Sequence, residues 1–324
     1  METVQDIGEQ GLLEQLQAFC SQEIIGDDGA IVELSSNKSL VVTTDVLVDG
    51  VHFSDCTTTP EDVGWRVAAA NLSDLAAMGA TPLGITVGLS LPGKVKVHWV
   101  RKLYQGIRDC LAKHNTAILG GDICRSKVIT ISATALGQVL PKQIIHRHTA
   151  KPGDAIVVTG YHGGSKAGLE LLLNPDLGGK LSEEQKRHLV AFHQRPLPRL
   201  DVLPYLEFPI AGMDSSDGLA DAVIQICRLS QLGAKIESQS ITYPETLLKL
   251  VSPKKALNWA LYGGEDFELV LCLPRIKAEE LVRNLGSGAA IIGEVTSEKE
   301  FKLVDNTQAY PSQVLTMAES FQHF

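Results

Sequence analysis

The chain has 324 residues, 44% of them hydrophobic and 21% charged, and this composition is typical of a folded protein with ordinary cores. The length favours two domains over one. The formal net charge of −9 argues against a general nucleic-acid-binding protein, which would carry a basic patch.

The first twelve residues carry Glu2, Asp6 and Glu9 without an apolar run, so they lack the pattern of a signal peptide. No stretch of 18 apolar residues occurs, and this predicts that the chain does not span a membrane. The six cysteines form no CxxC pair, which favours free thiols in a reducing cytosol over a disulfide framework or a zinc site. We therefore expect a cytoplasmic protein.

Helices and strands alternate in the first half of the chain. Thr59 as N-cap and Pro60 at the first helical position begin the clearest helix, and Gly79 ends it. The predicted elements are a helix over 13–23, a β-hairpin of Ile31–Leu34 and Ser39–Thr43, a helix from Thr59 to Met78, a strand over Gly84–Leu91, a helix over Val97–Asn115, and strands over Ala117–Leu119 and Val128–Val139.

A turn cluster at Ala150–Asp154 is the predicted boundary between domains, giving residues 1–149 and 150–324. The mixture of elements on both sides predicts two α+β or α/β domains and not a doubly wound sheet. The elements predicted after the boundary are strands over Ala155–Thr159, Lys235–Glu237, Phe267–Leu273 and Ala290–Val295, and helices near Leu169–Leu173, Leu181–Phe192, Leu219–Leu229 and Pro253–Leu261.

The common nucleotide-binding motifs are absent from the sequence. There is no GxxxxGK[ST] segment, which excludes a P-loop, and there is no protein-kinase HRD or DFG motif. Gly160–Ser165 lies between a predicted strand and a predicted helix, but its spacing differs from that of a dinucleotide-binding turn. We interpret it as a tight turn with close helix packing.

Aspartates beside glycines or at the ends of predicted elements form six clusters. Carboxylates gathered in one place repel one another unless a cation neutralises them, and oxygen ligands without histidine or cysteine suit Mg²⁺. Such a site could hold ATP without a P-loop. The clusters are Asp27-Asp28, Asp45 after Thr43-Thr44, Asp74 near Asn71, Asp122 after Gly120-Gly121, Asp214 with Asp217, and Glu265-Asp266.

Each cluster also has a simpler structural explanation. Asp-Gly and Gly-Asp pairs form turns, and Asp217-Gly218 could cap the helix that follows. His52 alone could be an ordinary strand histidine, and Arg147 a solvated surface side chain. The functional interpretation rests on six acidic clusters of one chemical type, spread over both halves of the chain.

These segments, in this order, resemble the bacterial thiamine-monophosphate kinase family, within the superfamily of aminoimidazole ribonucleotide synthetase and selenophosphate synthetase. The resemblance covers about Ile25 to Val295, and two blocks, Asn71–Ala80 and Gly263–Leu269, are specific enough to indicate it alone. The other segments that carry it are Gly26–Ala30, Thr43–Asp45, Gly50–Phe53, Gly120–Asp122, Ala150–Asp154 and Asp214–Leu219.

The resemblance implies a homodimer in which the mixed sheets of the N-terminal domains pair into a barrel-like core. It implies that residues 1–149 bind ATP and Mg²⁺ and form the dimer contact. The α/β domain of residues 150–324 would complete the active-site cleft, with ATP and several Mg²⁺ ions held between the domains.

The resemblance also implies roles for individual residues, by their positions in the matching segments. Those expected to take part in catalysis are Asp45, Asp122, Asp214 and Arg147. The metal ligands would be Asp28, Thr43, Thr44, Asp45, Asp74, Asp122, Asp214 and Asp217. The ATP contacts would be Thr44, Gly121, Asp122, Arg147, Ser216 and Tyr104. The acceptor contacts would be His52, Glu265 and a tail aromatic, either Phe321 or Phe324.

The expected activity is Mg²⁺-assisted, in-line transfer of a phosphoryl group from ATP to thiamine monophosphate, giving thiamine diphosphate. One alternative is another ATP-using enzyme of the superfamily with a different acceptor. Another is a non-catalytic nucleotide or Mg²⁺ sensor, and a third is a metal-dependent phosphatase. Formation of ADP only in the presence of thiamine monophosphate would distinguish the first reading from these.

Overall fold

The computed structural model describes residues 2–20, 30–305 and 312–319. It divides into two compact units, one of Met1–Leu75 with Ala80–Pro141 and one of Ala76–Gly79 with Lys142–Phe324. Within the described residues, no helix combines the length and the apolar character needed to cross a membrane.

The described residues of the first unit form three helices and four strands. These are α1 (Val4–Gln17), β1 (Ser39–Val48), α2 (Pro60–Ala77), β2 (Thr81–Leu91), α3 (Val97–Ala112), β3 (Ile118–Arg125) and β4 (Thr130–Val139). The strand order is β1-β4-β2-β3, with β2 and β3 parallel and the other pairs antiparallel. The sheet is therefore mixed, as the sequence predicted.

One face of this sheet is covered and the other is open. Side chains alternate between the faces of a strand, and in β4 every second residue from Ile131 to Val139 is buried. On β1 the alternate set is exposed and mostly apolar, with Leu40, Val42 and Val46 about half exposed. An antiparallel face in contact with water normally carries polar side chains, so this face has the composition of a contact surface.

Helices α2 and α3 pack at very close range through two glycines. A Cβ atom at Gly64 would lie 1.9 Å from the carbonyl oxygen of Leu103, and one at Gly106 would lie 1.8 Å from that of Glu61. Both distances are far below van der Waals contact, so neither position can accept a side chain without separating the helices. The crossing of α2 and α3 is thus fixed by backbone contact.

The part of the second unit that the structure describes contains six helices and seven strands, with short 3₁₀ turns between them. The strand order is β11-β10-β7-β9-β5-β8-β6, and within it only β7 and β10 pair in parallel among the described residues. The elements are β5 (Ala155–Val158), α4 (Gly164–Leu173), α5 (Glu183–Gln194), β6 (Ala211–Asp214), α6 (Leu219–Leu229), β7 (Gly233–Glu237), α7 (Leu247–Leu250), α8 (Pro253–Tyr262), β8 (Leu269–Leu273), α9 (Arg275–Leu285), β9 (Ala290–Thr296), β10 (Phe301–Val304) and β11 (Gln313–Val314).

The central strands of the second unit are buried on both faces. All residues of β5, β6 and β8 are buried, and separate clusters of apolar side chains pack on either side of them. Mostly antiparallel pairing makes this unit α+β. The fold class predicted from the sequence, two α+β domains with mixed sheets, is confirmed at that level.

Two local predictions in the N-terminal region are wrong. The expected hairpin of Ile31–Leu34 with Ser39–Thr43 does not form, because β1 pairs over ten residues with β4, and Ile31 is 89% exposed. The first helix spans Val4–Gln17 instead of 13–23, and it begins with a capping box between Thr3 and Asp6.

Candidate active site

Two predicted ligands of the first unit meet where β1 faces α2, and a third lies on the same face of the sheet. Thr43 and Asp45 are two residues apart on β1, so their side chains lie on the same, partly buried face of the sheet. The Thr43 hydroxyl donates a hydrogen bond to the carboxylate of Asp74, near the C-terminal end of α2. The structure therefore brings Thr43 and Asp74 into contact and places Asp45 on the same face.

Two other predicted ligands lie on the open face of the same sheet. The Thr44 hydroxyl is 2.7 Å from the hydroxyl of Thr134, its partner on β4. Asp122 is exposed on the edge strand β3 and is in register with Gly88 of β2. The strand register thus separates the side chains of Thr44 and Asp122 from Thr43 and Asp45, and the ligand roles of Thr44 and Asp122 stay predictions.

The loop after β1 fixes the orientation of His52. The main-chain N–H of Val48 donates to His52 Nδ1 at 3.0 Å, and the buried Arg66 donates to the His52 carbonyl at 3.2 Å. Because Nδ1 accepts a hydrogen bond, the neutral ring carries its proton on Nε2. His52 is thereby prepared to donate a hydrogen bond from Nε2.

In the second unit, Asp214 lies at the end of the buried strand β6. It is 3% exposed, and its carboxylate accepts a hydrogen bond from the Ser216 hydroxyl at 3.0 Å. Asp217 follows on an exposed turn. The N-cap of α6 is Gly218 and not Asp217, so the carboxylate of Asp217 lies outside the cap position considered for it.

Arg147 belongs to a series of hydrogen-bonded polar side chains that the sequence did not predict. Its guanidinium donates to Gln225 at 2.8 Å, and the Gln225 amide donates to Asp221, in the first turn of α6. Burial raises the pKa of Asp221, and the hydrogen bond from Gln225 and the charge of Arg147 partly offset this. The spacing of Asp221 and Gln225, four residues apart on α6, was the available signal.

Glu265 lies in a segment with unusual backbone geometry. Its φ is +58°, its main-chain N–H donates to the Ser216 carbonyl at 2.7 Å, and its side chain is 34% exposed. The Glu265 carboxylate lies 3.6 Å from Nδ1 of the buried His193, on α5. Glu265 and the Asp214–Gly218 turn are therefore neighbours in the second unit.

Two buried titratable groups, one in this segment and one beside it, make contacts that the sequence did not predict. The Asp266 carboxylate accepts main-chain hydrogen bonds from Gly163 and Ser165, and burial raises its pKa to about 7. His162 lies 3.1 Å through Nε2 from the Ser215 hydroxyl, and burial lowers its pKa to about 4. Neither could be assigned from the sequence, because every partner is distant along the chain or supplied by the backbone.

A largely buried ion pair holds the other end of the segment that contains Glu265, where β8 begins. Arg199 and Glu268 are each 13% exposed and 2.5 Å apart, and Arg199 also donates to the carbonyl of Thr159 at 2.6 Å. The Thr159 hydroxyl donates to the same Glu268 carboxylate at 2.6 Å. The start of β8 is thus joined to the end of β5 by charge-assisted hydrogen bonds.

The remaining predicted residues fall elsewhere. Tyr104 is 4% exposed and packs against Phe19 of the first unit, where burial raises its pKa. Gly121 is exposed on β3, and Asp28, Phe321 and Phe324 lie outside the described residues. Across 2–20, 30–305 and 312–319, no three histidine, cysteine or acidic side chains gather into a metal site by themselves.

Comparison with known proteins identifies the class. The chain matches the model of the AIR synthase related protein, N-terminal domain, over residues 26–139, and that of the C-terminal domain over residues 151–306. With its two mixed-sheet units and its acidic strand ends, the chain is a member of the AIR synthase-related class.

Individual relatives narrow this class to one family. The chain is 47% identical to a thiamine-monophosphate kinase of Synechococcus elongatus, over 99% of this chain and 98% of that protein. The crystal structure of thiamine-monophosphate kinase from Stenotrophomonas maltophilia is 30% identical, with a TM-score of 0.79 over 92% of this chain and 96% of the other. The structure of AaThiL complexed with AMPPCP and TMP is 28% identical, with a TM-score of 0.74 over 97% and 98%. The chain belongs to the thiamine-monophosphate kinase family.

Proposed function

We propose that the protein transfers the γ-phosphoryl group of ATP to thiamine monophosphate, giving thiamine diphosphate and ADP. The observation that carries this proposal is the 47% identity, over 99% of the chain, to a relative that bears the name of this activity. The complex of AaThiL with AMPPCP, an ATP analogue, and TMP supports the same pair of ligands.

The acceptor chemistry agrees with the side chains present. The second pKa of a phosphate monoester is about 6, so the attacking oxygen is already ionised at neutral pH and needs no strong general base. His52, with its proton on Nε2, is suited to donate to a phosphate oxygen and not to remove a proton. Arg147 would bind a phosphate group and offset its charge. Catalysis then depends on positioning and on neutralising charge.

The donor atoms of the site fit Mg²⁺. Thr43, Asp45 and Asp74 in the first unit, and Asp214 and Asp217 in the second, offer only hard oxygen atoms. Mg²⁺ typically takes one or two carboxylates and completes its coordination with water and substrate phosphates, so a protein cluster of three acids is not required. These five residues, with Asp28, Thr44 and Asp122, would hold the ions, which supply charge neutralisation to the transferring phosphoryl group.

A homodimer is also part of the proposal. The open face of the first unit's sheet carries Leu40, Val42 and Val46, which are 48%, 55% and 45% exposed. A second copy of the same sheet is the partner best matched to this apolar surface, since pairing would bury it symmetrically. The paired sheets would form the barrel-like core that the family resemblance implies.

The dimer is tested by placing a charge on the open face. We expect Val42→Glu to convert the protein from dimer to monomer in sedimentation velocity, because a carboxylate would be buried in the contact without a partner. Leu173→Glu is the matched control, since Leu173 is 51% exposed on α4 of the other unit and should leave the mass unchanged. A monomeric wild-type protein, or an unchanged Val42→Glu dimer, would contradict the proposal.

The activity is tested with purified protein, ATP and Mg²⁺, offered thiamine monophosphate or thiamine in parallel, with products identified by mass. We expect ADP and thiamine diphosphate only with thiamine monophosphate. Thiamine diphosphate formed without ATP consumption, ADP formed with another acceptor alone, or free phosphate released without ATP would refute the assignment.

A further inference from the structure

The segment Gly263–Phe267 is held in a strained backbone conformation. Gly264, Glu265 and Phe267 have φ values of +67°, +58° and +53°. The left-handed region is sterically unfavourable for a non-glycine residue, and such residues persist only where the surroundings impose the conformation. Two of these residues are a glutamate and a bulky aromatic, so specific contacts must impose this shape.

Asp266 lies between Glu265 and Phe267, and its hydrogen bonds hold the segment in this conformation. Its two carboxylate oxygens accept hydrogen bonds from the main-chain N–H groups of Gly163 at 2.7 Å and Ser165 at 2.9 Å. These groups are at the N-terminus of α4, where the helix dipole favours a negative charge. Asp266 is buried and so joins the strained segment to a rigid helix.

The same helix also locates the side chain of Glu265. The Ser165 hydroxyl is 3.3 Å from His193 Nδ1, and that nitrogen is 3.6 Å from the Glu265 carboxylate. The main chain of Ser165 therefore binds Asp266, while its side chain contacts the imidazole next to Glu265. The first turn of α4 therefore holds the backbone next to Glu265 through Asp266, and it contacts the imidazole beside the Glu265 carboxylate.

We propose that Asp266 is a positioning residue that holds Glu265 in the orientation needed to contact the acceptor. This inference rests on the proposed function and on the acceptor contact that the family resemblance implies for Glu265. Asp266 itself touches no substrate, since its carboxylate is buried against α4. Its removal should weaken acceptor binding and leave the affinity for ATP nearly unchanged.

The test compares Asp266→Asn with the wild type. Asparagine keeps the shape but replaces one accepting oxygen with an N–H₂ group that faces a donor, so one of the two hydrogen bonds is lost. We expect the KM for thiamine monophosphate to rise about 10- to 100-fold, with the KM for ATP within about twofold. The affinity for thiamine monophosphate, measured as a Kd by calorimetry without ATP, should fall by the same factor.

Asp154→Asn is the matched control. Asp154 is also a buried carboxylate of the second unit, its pKa is also raised by burial, and it accepts a main-chain hydrogen bond from Lys151 at 2.8 Å. This variant should lose comparable stability without changing either KM. Ser165→Ala, which keeps the main-chain N–H and loses the link to His193, should raise only the KM for the acceptor, about two- to fivefold.

Amide hydrogen exchange gives a measurement that does not depend on turnover. In Asp266→Asn, exchange across residues 263–267 should accelerate at least tenfold while β8 stays protected. The positioning role is overturned if this exchange is unchanged, or if both KM values change together in Asp266→Asn or in Ser165→Ala. A wild-type protein that fails to phosphorylate thiamine monophosphate overturns the proposed function instead, and the exchange result still decides whether Asp266 holds the segment.

Discussion

Asp214→Asn is expected to lower kcat by about 100- to 1,000-fold while the fold stays intact. The carboxylate is 3% exposed at the end of β6 and accepts a hydrogen bond from Ser216, which an asparagine oxygen can also accept. The substitution thus keeps the shape and removes the charge proposed to hold Mg²⁺ beside the triphosphate. Asp45→Asn in the first unit should behave in the same way.

The measurement is steady-state turnover with ATP and thiamine monophosphate over a range of Mg²⁺ concentrations. Because the loss of this negative charge lowers the affinity for the metal ion, excess Mg²⁺ should partly restore turnover. Asp176→Asn, at an exposed position of the second unit, serves as control and should turn over at the wild-type rate. Near-normal turnover of Asp214→Asn at low Mg²⁺ would show that the ligand assignment is wrong.

Arg199→Ala is expected to destabilise the second unit by about 3–5 kcal/mol. The guanidinium binds Glu268 and the Thr159 carbonyl, and it also donates to both oxygens of Asp201 at 3.0 Å. Burial raises the pKa of Glu268, and the charge of Arg199 opposes that rise. Without Arg199, the Glu268 carboxylate is left buried without its cation, and this accounts for most of the expected loss.

The free energy of opening can be followed by amide hydrogen exchange at Leu269–Leu273, the strand that begins beside Glu268. Arg275→Ala removes an ion pair with Glu279 whose side chains are 63% and 56% exposed, so it should cost less than about 1 kcal/mol. Equal effects of the two substitutions would mean that the buried pair contributes no more than a surface one.

Local signals in the sequence predicted some elements closely. Helix α2 was expected from Thr59 to Met78 and spans Pro60–Ala77, because the cap, the first-turn proline and the final glycine are all local. Helix α6 was predicted with its observed bounds, Leu219–Leu229. In contrast, the buried strand β6 has only four residues after a proline-rich stretch, too few to show a usable periodicity.

The candidate site was predicted by residue type more than by arrangement. The acids were identified because they lie beside glycines or at the ends of predicted elements. Asp74 lies within the helix predicted from Thr59 to Met78. That Thr43 contacts Asp74 while Thr44 faces the open side depends on the register of β1 with β4, which no local signal specifies. The long-range contacts of Asp266, His193 and Arg199 were missed, since these partners lie 28 to 103 residues away.

The two glycines at the crossing of α2 and α3 have a consequence for the mechanics of the first unit. With Gly64 and Gly106 against opposing carbonyl groups, α2 can neither slide along α3 nor roll on it without driving main-chain atoms into each other. Helix α2 is therefore stiff as far as Asp74 near its other end, and the carboxylate proposed to bind a metal ion lies on a rigid helix and not on a flexible loop.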